Sequence, residues 1–494
     1  MTTIISKAIS KAKRMALSLY YTIIAPIRYK DKQLKTIILG LGLFDSEWYL
    51  KVNPDVQENQ IDPLTHYLKT GWLEGRLPFS TYDESSYLKI AKDFSPGRTN
   101  PILNIVKQLS LGKLHHQDIF LLKQSANGPT FDDEHRFTSG ITICGFLRSE
   151  IGLGQAARNL AYSADAANLN VNFHSLAVPG RDNDNEFASK CSPRIKHNHA
   201  LFVLPLDSGA LNLLRKAPGC NLILYPYWEL SRVPQSCLES LNWCDEFWAP
   251  SSFIRDMLEP LGKPVTLIPQ PVKIPSETDM IVKSEHGDIF TILTYFDIDS
   301  YHARKNPMAS VKAFQVAFPK ERDVQLIVKL RGSDSKQEIR KKLQAAAQSD
   351  SRIVIIDKTI TRSEIERLIF CCDVFISLQR SEGFGFGPAE ALAAAKPVIT
   401  TCYGGVTDFI HTDTAYPIDF NLVPVRSGDY PEWQNQVWAD PIIEDAVEAL
   451  RLIKNTPNAA AAKGRAGRNW MINNHSIEVV GKLIKQKLGD DMDN

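Results

Sequence analysis

At 494 residues the chain is long enough for two or three units, each with its own core. Apolar residues at 44% and charged residues at 23% are the mix of a water-soluble globular protein, and a formal charge of +1 excludes wholesale nucleic-acid binding. The eight cysteines form no C-x-x-C pair and no His/Cys ligand spacing, so they read as reduced core thiols. No apolar run reaches eighteen residues, which argues against a spanning helix.

Residues 1–39 are locally basic. Lys7, Lys11, Lys13, Arg14, Arg28, Lys30, Lys32 and Lys35 face Asp31 alone, a balance of +7. The apolar run from Met15 to Ile27 follows four of these cations but leads to no small-x-small cleavage site. Two readings stand side by side: a segment, residues 1–35, resting on an anionic membrane surface, or a solvated basic tail. The expected location is cytoplasmic, with peripheral contact to the inner face of the membrane in the first reading.

A repeat of period 38 fills residues 40–118. Phe44-Asp45-Ser46-Glu47-Trp48-Tyr49-Leu50-Lys51 aligns with Tyr82-Asp83-Glu84-Ser85-Ser86-Tyr87-Leu88-Lys89, Asp55 with Asp93, and Asp62-Pro63-Leu64 with Asn100-Pro101-Ile102. In both copies Asp62 or Asn100 suits a helix cap and Pro63 or Pro101 the first helical position, while Gly71 suits the end of the first copy's helix. His66 lies in that helix as a packing residue. The first copy resembles the F-D-x-x-Y-L…N-P-D-V…H-Y-L-x-x-G module found beside sugar-transferring domains of bacterial surface-polysaccharide enzymes.

From residue 138 the chain alternates strand and helix. Strands are expected at Ile141–Phe146, Val171–Leu176, Ala200–Leu204, Asn221–Tyr225, Glu246–Ala249 and Val265–Ile268, with a helix at Gly154–Ala166. This first α/β block covers residues 138–272, and Pro271–Gly287 reads as a linker. A second block, residues 288–455, has strands at Phe290–Tyr295, Gln325–Lys329, Ile353–Ile356, Val374–Ser377 and Pro397–Thr400. Helices at Asp440–Ile453 and Ile477–Leu488 close the chain, with residues 456–494 crossing back. Such alternation predicts two doubly wound parallel sheets, each with its ligand edge at the carboxyl ends of the strands.

The richest stretch is Ser381-Glu382-Gly383-Phe384-Gly385-Phe386-Gly387-Pro388-Ala389-Glu390-Ala391-Leu392. It joins two carboxylates to a glycine turn between a buried strand and a helix expected to start at Pro388. The glycines leave the amides of Gly383, Phe384 and Gly385 open to hydroxyls or phosphate. The full string resembles the donor-sugar loop of retaining nucleotide-sugar glycosyltransferases of the GT-B type, family four. That resemblance implies two Rossmann-like domains facing a cleft, with Glu382 toward the sugar and Glu390 on the ribose.

It also implies roles for other positions. Tyr301-His302-Ala303-Arg304-Lys305-Asn306-Pro307 is similar to the family's phosphate-binding step, with Lys305 on the diphosphate and Arg304 as its assistant or an outward-facing neighbour. Lys329 and Arg331 are second candidates at the same edge. An arginine the family often has shortly after the first strand is absent from Phe296-Asp297-Ile298-Asp299-Ser300. Asp297-Ile298-Asp299 spells D-x-D, yet the E-x7-E loop belongs to the metal-free architecture, so no metal and no cofactor are expected. Gly152 and Gly154 suit donor contacts from across the cleft. Gly152-x-Gly154-x-x-Ala157 imitates a dinucleotide fingerprint, but the loop after Phe146 is too long for its tight turn and the next strand ends without a ribose-binding acid. Tyr227-Trp228-Glu229-Leu230 resembles the W-E-L segment of mannosyltransferase-like enzymes, with Trp228 against the acceptor and Glu229 orienting its hydroxyls.

The expected activity is retaining, metal-independent transfer of a hexose from a nucleotide diphosphate to a polysaccharide or lipid-linked acceptor. By resemblance GDP-mannose is the favoured donor. The rivals are a carbohydrate-binding scaffold that has lost turnover and a GT-B sugar-nucleotide epimerase.

Overall fold

The computed structural model describes residues 34–35, 38–39, 43–79, 100–110, 130–131, 137–176, 186–192, 194–211, 213–281, 289–332 and 337–490. The chain divides into two compact units, residues 1–129 with 208–214, and residues 130–207 with 215–494. The basic residues through Lys32, together with Tyr82–Lys89 and Asp93 of the repeat, lie outside the described residues.

In the first unit, helices span Ser46–Val52, Pro54–Glu58 and Pro63–His66, the last continuing as a π turn over Tyr67–Gly71. Asp45 caps the first through the Trp48 amide, and Asp62 caps the third through the Thr65 amide at 2.8 Å. In the second copy the Asn100 side chain accepts from the Ile102 amide at 3.0 Å, ahead of a helix at Pro101–Ser110. Phe44, Tyr49, Leu64, Tyr67, Ile102 and Ile105 meet in one apolar core. Gly71 is required there: a Cβ would lie 2.2 Å from the Tyr49 hydroxyl, which bonds His66 Nδ1 at 2.9 Å. Lys35 pairs with Asp62 at 2.7 Å.

The second unit holds two sheets of six parallel strands. The first lobe contains β1 (Thr138–Gly145), β2 (Val171–Ser175), β3 (His197–Pro205), β4 (Asn221–Tyr227), β5 (Glu246–Ala249) and β6 (Val265–Leu267), in the order β2-β1-β3-β4-β5-β6. Its helix α1 (Gly152–Ala166) starts two residues earlier than its sequence suggests. The second lobe contains β7 (Phe290–Asp297), β8 (Val324–Arg331), β9 (Ile353–Asp357), β10 (Val374–Ser377), β11 (Val398–Thr401) and β12 (Tyr416–Ile418), in the order β9-β8-β7-β10-β11-β12. Both faces of these strands are covered, which is why they read as near-continuous apolar runs. The order reverses between β7 and β10, and an open α/β sheet binds its ligand at such a switch point.

One departure from the sequence reading shapes the site. Asp440 is not at the start of a helix: it belongs to a hairpin of β13 (Phe420–Pro424) and β14 (Val437–Pro441), and the helix begins at Ile443. Pro441 cannot donate to a ladder, which suits the outer position of this two-stranded hairpin.

The lobes are tied by the chain's return. The last helix, Ile477–Asp490, packs on α1, where a Cβ on Gly481 would lie 2.3 Å from the Ser163 carbonyl. Beside it, the Val272 amide donates to the His475 carbonyl at 2.7 Å and His475 Nδ1 donates to the Gln270 carbonyl at 3.1 Å. Burial pushes the His475 imidazole down from 6.5 to about 4, partly offset by the Gln270 carbonyl. Folding therefore keeps His475 neutral, while the unfolded chain protonates it below about pH 6.5. Stability is expected to fall as pH drops from 6.5 toward 4 and to level off below that. Denaturation midpoints across this range check it, and His475→Gln should flatten the slope.

Candidate active site

At the switch point the chain leaves β7 and forms a one-turn helix, α2 (His302–Lys305), between Tyr301 and Asn306. Both flanking residues hold left-handed backbone, with φ of 60° and 49°. Such conformations cost on the order of 1 kcal/mol each outside glycine and need support. Support comes from Asn306, which donates to the Leu378 carbonyl at 3.0 Å, and from Arg380, which donates to the Ala303 carbonyl at 2.7 Å. Arg380 is held in turn by Asp440 of the hairpin at 2.8 Å.

This turn aims Arg304 inward. It is 1% exposed and lies between two carboxylates, 2.8 Å from Glu382 Oε2 and 3.3 Å from Glu229 Oε1. It also donates to the Ser381 carbonyl at 2.8 Å and to Ser300 Oγ at 2.8 Å. Burial opposes its charge, but Glu229 and Glu382 outweigh burial and hold the guanidinium protonated. The outward-facing alternative for Arg304 is thus corrected. Lys305, half-buried, pairs with the other oxygen of Glu382. Burial and the neighbouring Arg304 push its ammonium down from 10.5, against the pull of Glu382. Burial would raise Glu382, yet the two cations hold it below its ordinary 4.5. Two acids and two cations therefore pair between the lobes, with Arg304 Nε left without a hydrogen-bond partner among the described residues.

Glu229 comes from the end of β4, and its second oxygen accepts from the Tyr430 hydroxyl. Tyr430 lies in the β13–β14 loop, and burial with the adjacent Glu229 raises its phenol far above 10, so it is a standing donor. Its ring meets Tyr301 at 4.7 Å and Trp228 edge-on at 5.1 Å. Trp228 is 5% exposed and its indole donates to the Arg232 carbonyl at 3.0 Å. It is a wall residue under Tyr430, which differs from the expected open stacking face for an acceptor. Nothing in the sequence pattern singled out Tyr430, because it lies 201 residues from Glu229 in a loop without a motif.

The glycines of the loop make room for neighbouring backbone and side chains. A Cβ on Gly383 would lie 2.7 Å from the Trp228 carbonyl, so Gly383 lets the two lobes' backbones touch, and its own carbonyl accepts from Ser251 Oγ at 2.6 Å. Gly385 has φ of 99° and would strike Val406 at 2.4 Å. It caps α3 (Phe386–Ala393), which starts two residues before Pro388. Phe384 is buried against Phe386, Phe409 and His475, linking the loop to the return of the chain. In the first lobe Gly154 is also a packing glycine, since its Cβ would lie 2.1 Å from the Ser149 carbonyl, whereas Gly152 opens α1 with free space around it.

Glu390 lies on α3, away from the Glu382 cluster. Tyr295 of β7 donates to one of its oxygens, and Arg362 holds the other at 2.7 Å. Arg362 opens α4 (Arg362–Cys371), capped by the Thr361–Glu364 box. Lys329 of β8 is paired in register with Tyr295 and is 3% exposed. Burial and the nearby Arg331 push its ammonium down to about 8. Arg331 pairs with Asp297 at 3.1 Å, so this aspartate of the D-x-D triplet faces a guanidinium. Among the described residues no group of three His, Cys, Asp or Glu side chains is placed to hold a metal. No helix among them is long and apolar enough to cross a membrane.

Two Rossmann-like lobes meeting over the carboxyl ends of their strands define the GT-B fold. Residues 295–422 match the family described as Glycosyl transferases group 1, so the second lobe carries a glycosyltransferase domain. That span contains Arg304, Lys305, Lys329, Glu382 and Glu390, while Trp228, Glu229 and Tyr430 lie outside it. No curated protein matches the sequence. Among solved structures, HepE of Anabaena in complex with UDP and glucose is 12% identical with a TM-score of 0.51, over 72% of this chain and 100% of that one. Sucrose-phosphate synthase from Thermosynechococcus elongatus is 14% identical with a TM-score of 0.51, over 72% of this chain and 99% of that one. A TarM mutant of S. aureus is 16% identical with a TM-score of 0.45; 59% of this chain aligns, spanning 55% of its length.

Proposed function

We propose that this chain is a retaining, metal-independent hexosyltransferase that moves a hexose, mannose by preference, from a nucleotide diphosphate to a polysaccharide or lipid-linked saccharide. The observation that carries the reading is the buried Glu229–Arg304–Glu382–Lys305 cluster at the switch point, built from both lobes. In the reaction the acceptor oxygen bonds the anomeric carbon as the bond to the diphosphate breaks, and the hydroxyl proton passes to the leaving phosphate. Lys305 would meet the charge that develops on that phosphate, with Arg304 fixing the two acids. Glu382 would orient the sugar, Glu390 the ribose, and Glu229, positioned by Tyr430, the acceptor hydroxyl. Contact of residues 1–35 with an anionic membrane surface belongs to the same reading, since lipid-linked acceptors sit there.

The test is a panel of nucleotide sugars incubated with the full-length chain, with and without a chelator. Release of nucleoside diphosphate in chelator, raised by a saccharide acceptor and giving a product of retained anomeric configuration, is the expected result. Interconversion of the sugar without acceptor would favour the epimerase, and binding without turnover the scaffold.

A further inference from the structure

Lys329 is 3% exposed as a residue, and no hydrogen-bond or ion-pair partner is found for its ammonium among the described residues. Burying an ammonium costs several kcal/mol unless something pairs with it. Arg331 is engaged by Asp297, Arg362 by Glu390 and Glu366, and Lys305 by Glu382. Among the described residues Lys329 is therefore a cation at the ligand edge that is open to a bound partner.

Its place along the sheet edge indicates which part of a ligand that is. Glu382 follows β10 and Lys305 follows β7, so the sugar and diphosphate occupy the β10–β7 crevice. Glu390 is bonded by Tyr295 on one face of β7, which places the ribose over that strand. Lys329 is the register partner of Tyr295 on β8 and of Ile356 on β9, so it stands one strand further out on the same face. Neighbouring strands lie about 4.8 Å apart, close to the step from a ribose to the base it carries. Asp297, Asp357 and Glu364 all attract the Lys329 ammonium, but Asp297 is paired with Arg331, Asp357 with Arg340, and Glu364, at the start of α4, is turned into its own capping box.

We propose that Lys329 reads the nucleobase of the donor at the pyrimidine C4 or purine C6 position and selects the carbonyl of uracil O4 or guanine O6 against the amino group of cytosine or adenine at that position. This rests on the glycosyltransferase reading above. An ammonium has three donors and no acceptor, so it satisfies a carbonyl oxygen and sets donor against donor at an exocyclic amine. The sheet position gives Lys329 this role in place of the diphosphate contact suggested by its sequence position.

The experiment measures affinities of UDP, GDP, ADP and CDP for the full-length protein by calorimetry, repeated on Lys329→Met. Wild type should bind UDP or GDP at least about tenfold more tightly than ADP and CDP, the scale of one charged hydrogen bond. Lys329→Met should lose that preference while keeping the weaker ADP affinity, with a denaturation midpoint no lower than that of wild type. ADP or CDP binding as tightly as UDP and GDP in wild type would overturn the proposal, as would a preference intact in Lys329→Met. Either result leaves the transfer reading standing; failure of all four nucleotides to bind would remove both. Which of UDP and GDP binds better identifies the base.

Discussion

Arg304→Met is expected to lower the stability of the two-lobed unit by roughly 3–5 kcal/mol, the cost of stripping one partner from a buried ion cluster. The guanidinium is the only group bonded to both Glu229 and Glu382 in this cluster, and its loss leaves Glu382 with Lys305 alone. Methionine matches the stem but none of the donors to Ser300, Ser381 and the two acids. Chemical denaturation of variant and wild type measures the loss. Its pH dependence carries a sign. Glu382 is held below its ordinary 4.5 in the folded chain, so its contribution is present above that pH and lost as pH falls through the lower folded value. The gap between variant and wild type should therefore narrow in acid, and adding Glu382→Gln to Arg304→Met should recover part of the loss. A cost under about 1 kcal/mol would mean that water reaches this cluster as it does an exposed pair.

Lys305→Ala is expected to act on turnover instead, lowering kcat on the order of 100-fold, the scale of one electrostatic group facing developing charge. Glu382 keeps Arg304 in this variant, so the denaturation midpoint should move far less than in Arg304→Met. Lys305→Arg should restore part of the rate, because a cation returns to the crevice even though its planar fork differs from a point charge. A steady-state assay of nucleoside diphosphate release checks both variants. Unchanged kcat in Lys305→Ala would take the lysine out of the reaction, leaving it as a counter-ion of Glu382.

Much of the framework was legible because it rests on local rules. Runs such as Asn221-Leu222-Ile223-Leu224-Tyr225 read as buried strands, and Glu246–Ala249 and Val374–Ser377 match the observed strands end to end. Capping by Asp62 and Asn100 was visible from side chains that serve the next few amides. Glu382 and Glu390 stood out through the full Ser381–Leu392 string with its flanking strand and helix, since E-x7-E spacing alone recurs by chance. The hairpin at 420–441 was not legible, since Asp440 ahead of Pro441 and Ile442 imitates a helix start until the partner strand is known. Nor was the orientation of Arg304: adjacent cations read alike, and a left-handed Tyr301 turns one inward.

Outside the 420–441 hairpin, local sequence carries most strands and helices, the succession of two α/β blocks, and the acids and cations that flank the glycine loop. Those features depend on neighbours within a few residues, through periodicity, capping and the φ freedom of glycine. Only the tertiary structure decided that Arg304 joins Glu229 to Glu382, that Gly383 makes room for the Trp228 carbonyl, and that Tyr430 reaches the first lobe. The groups concerned lie 75 residues apart for Arg304 and Glu229 and 201 for Tyr430 and Glu229, a separation no local pattern encodes. Burial then sets the energetics, because charges and phenols excluded from water must find partners on whichever element packing brings alongside them.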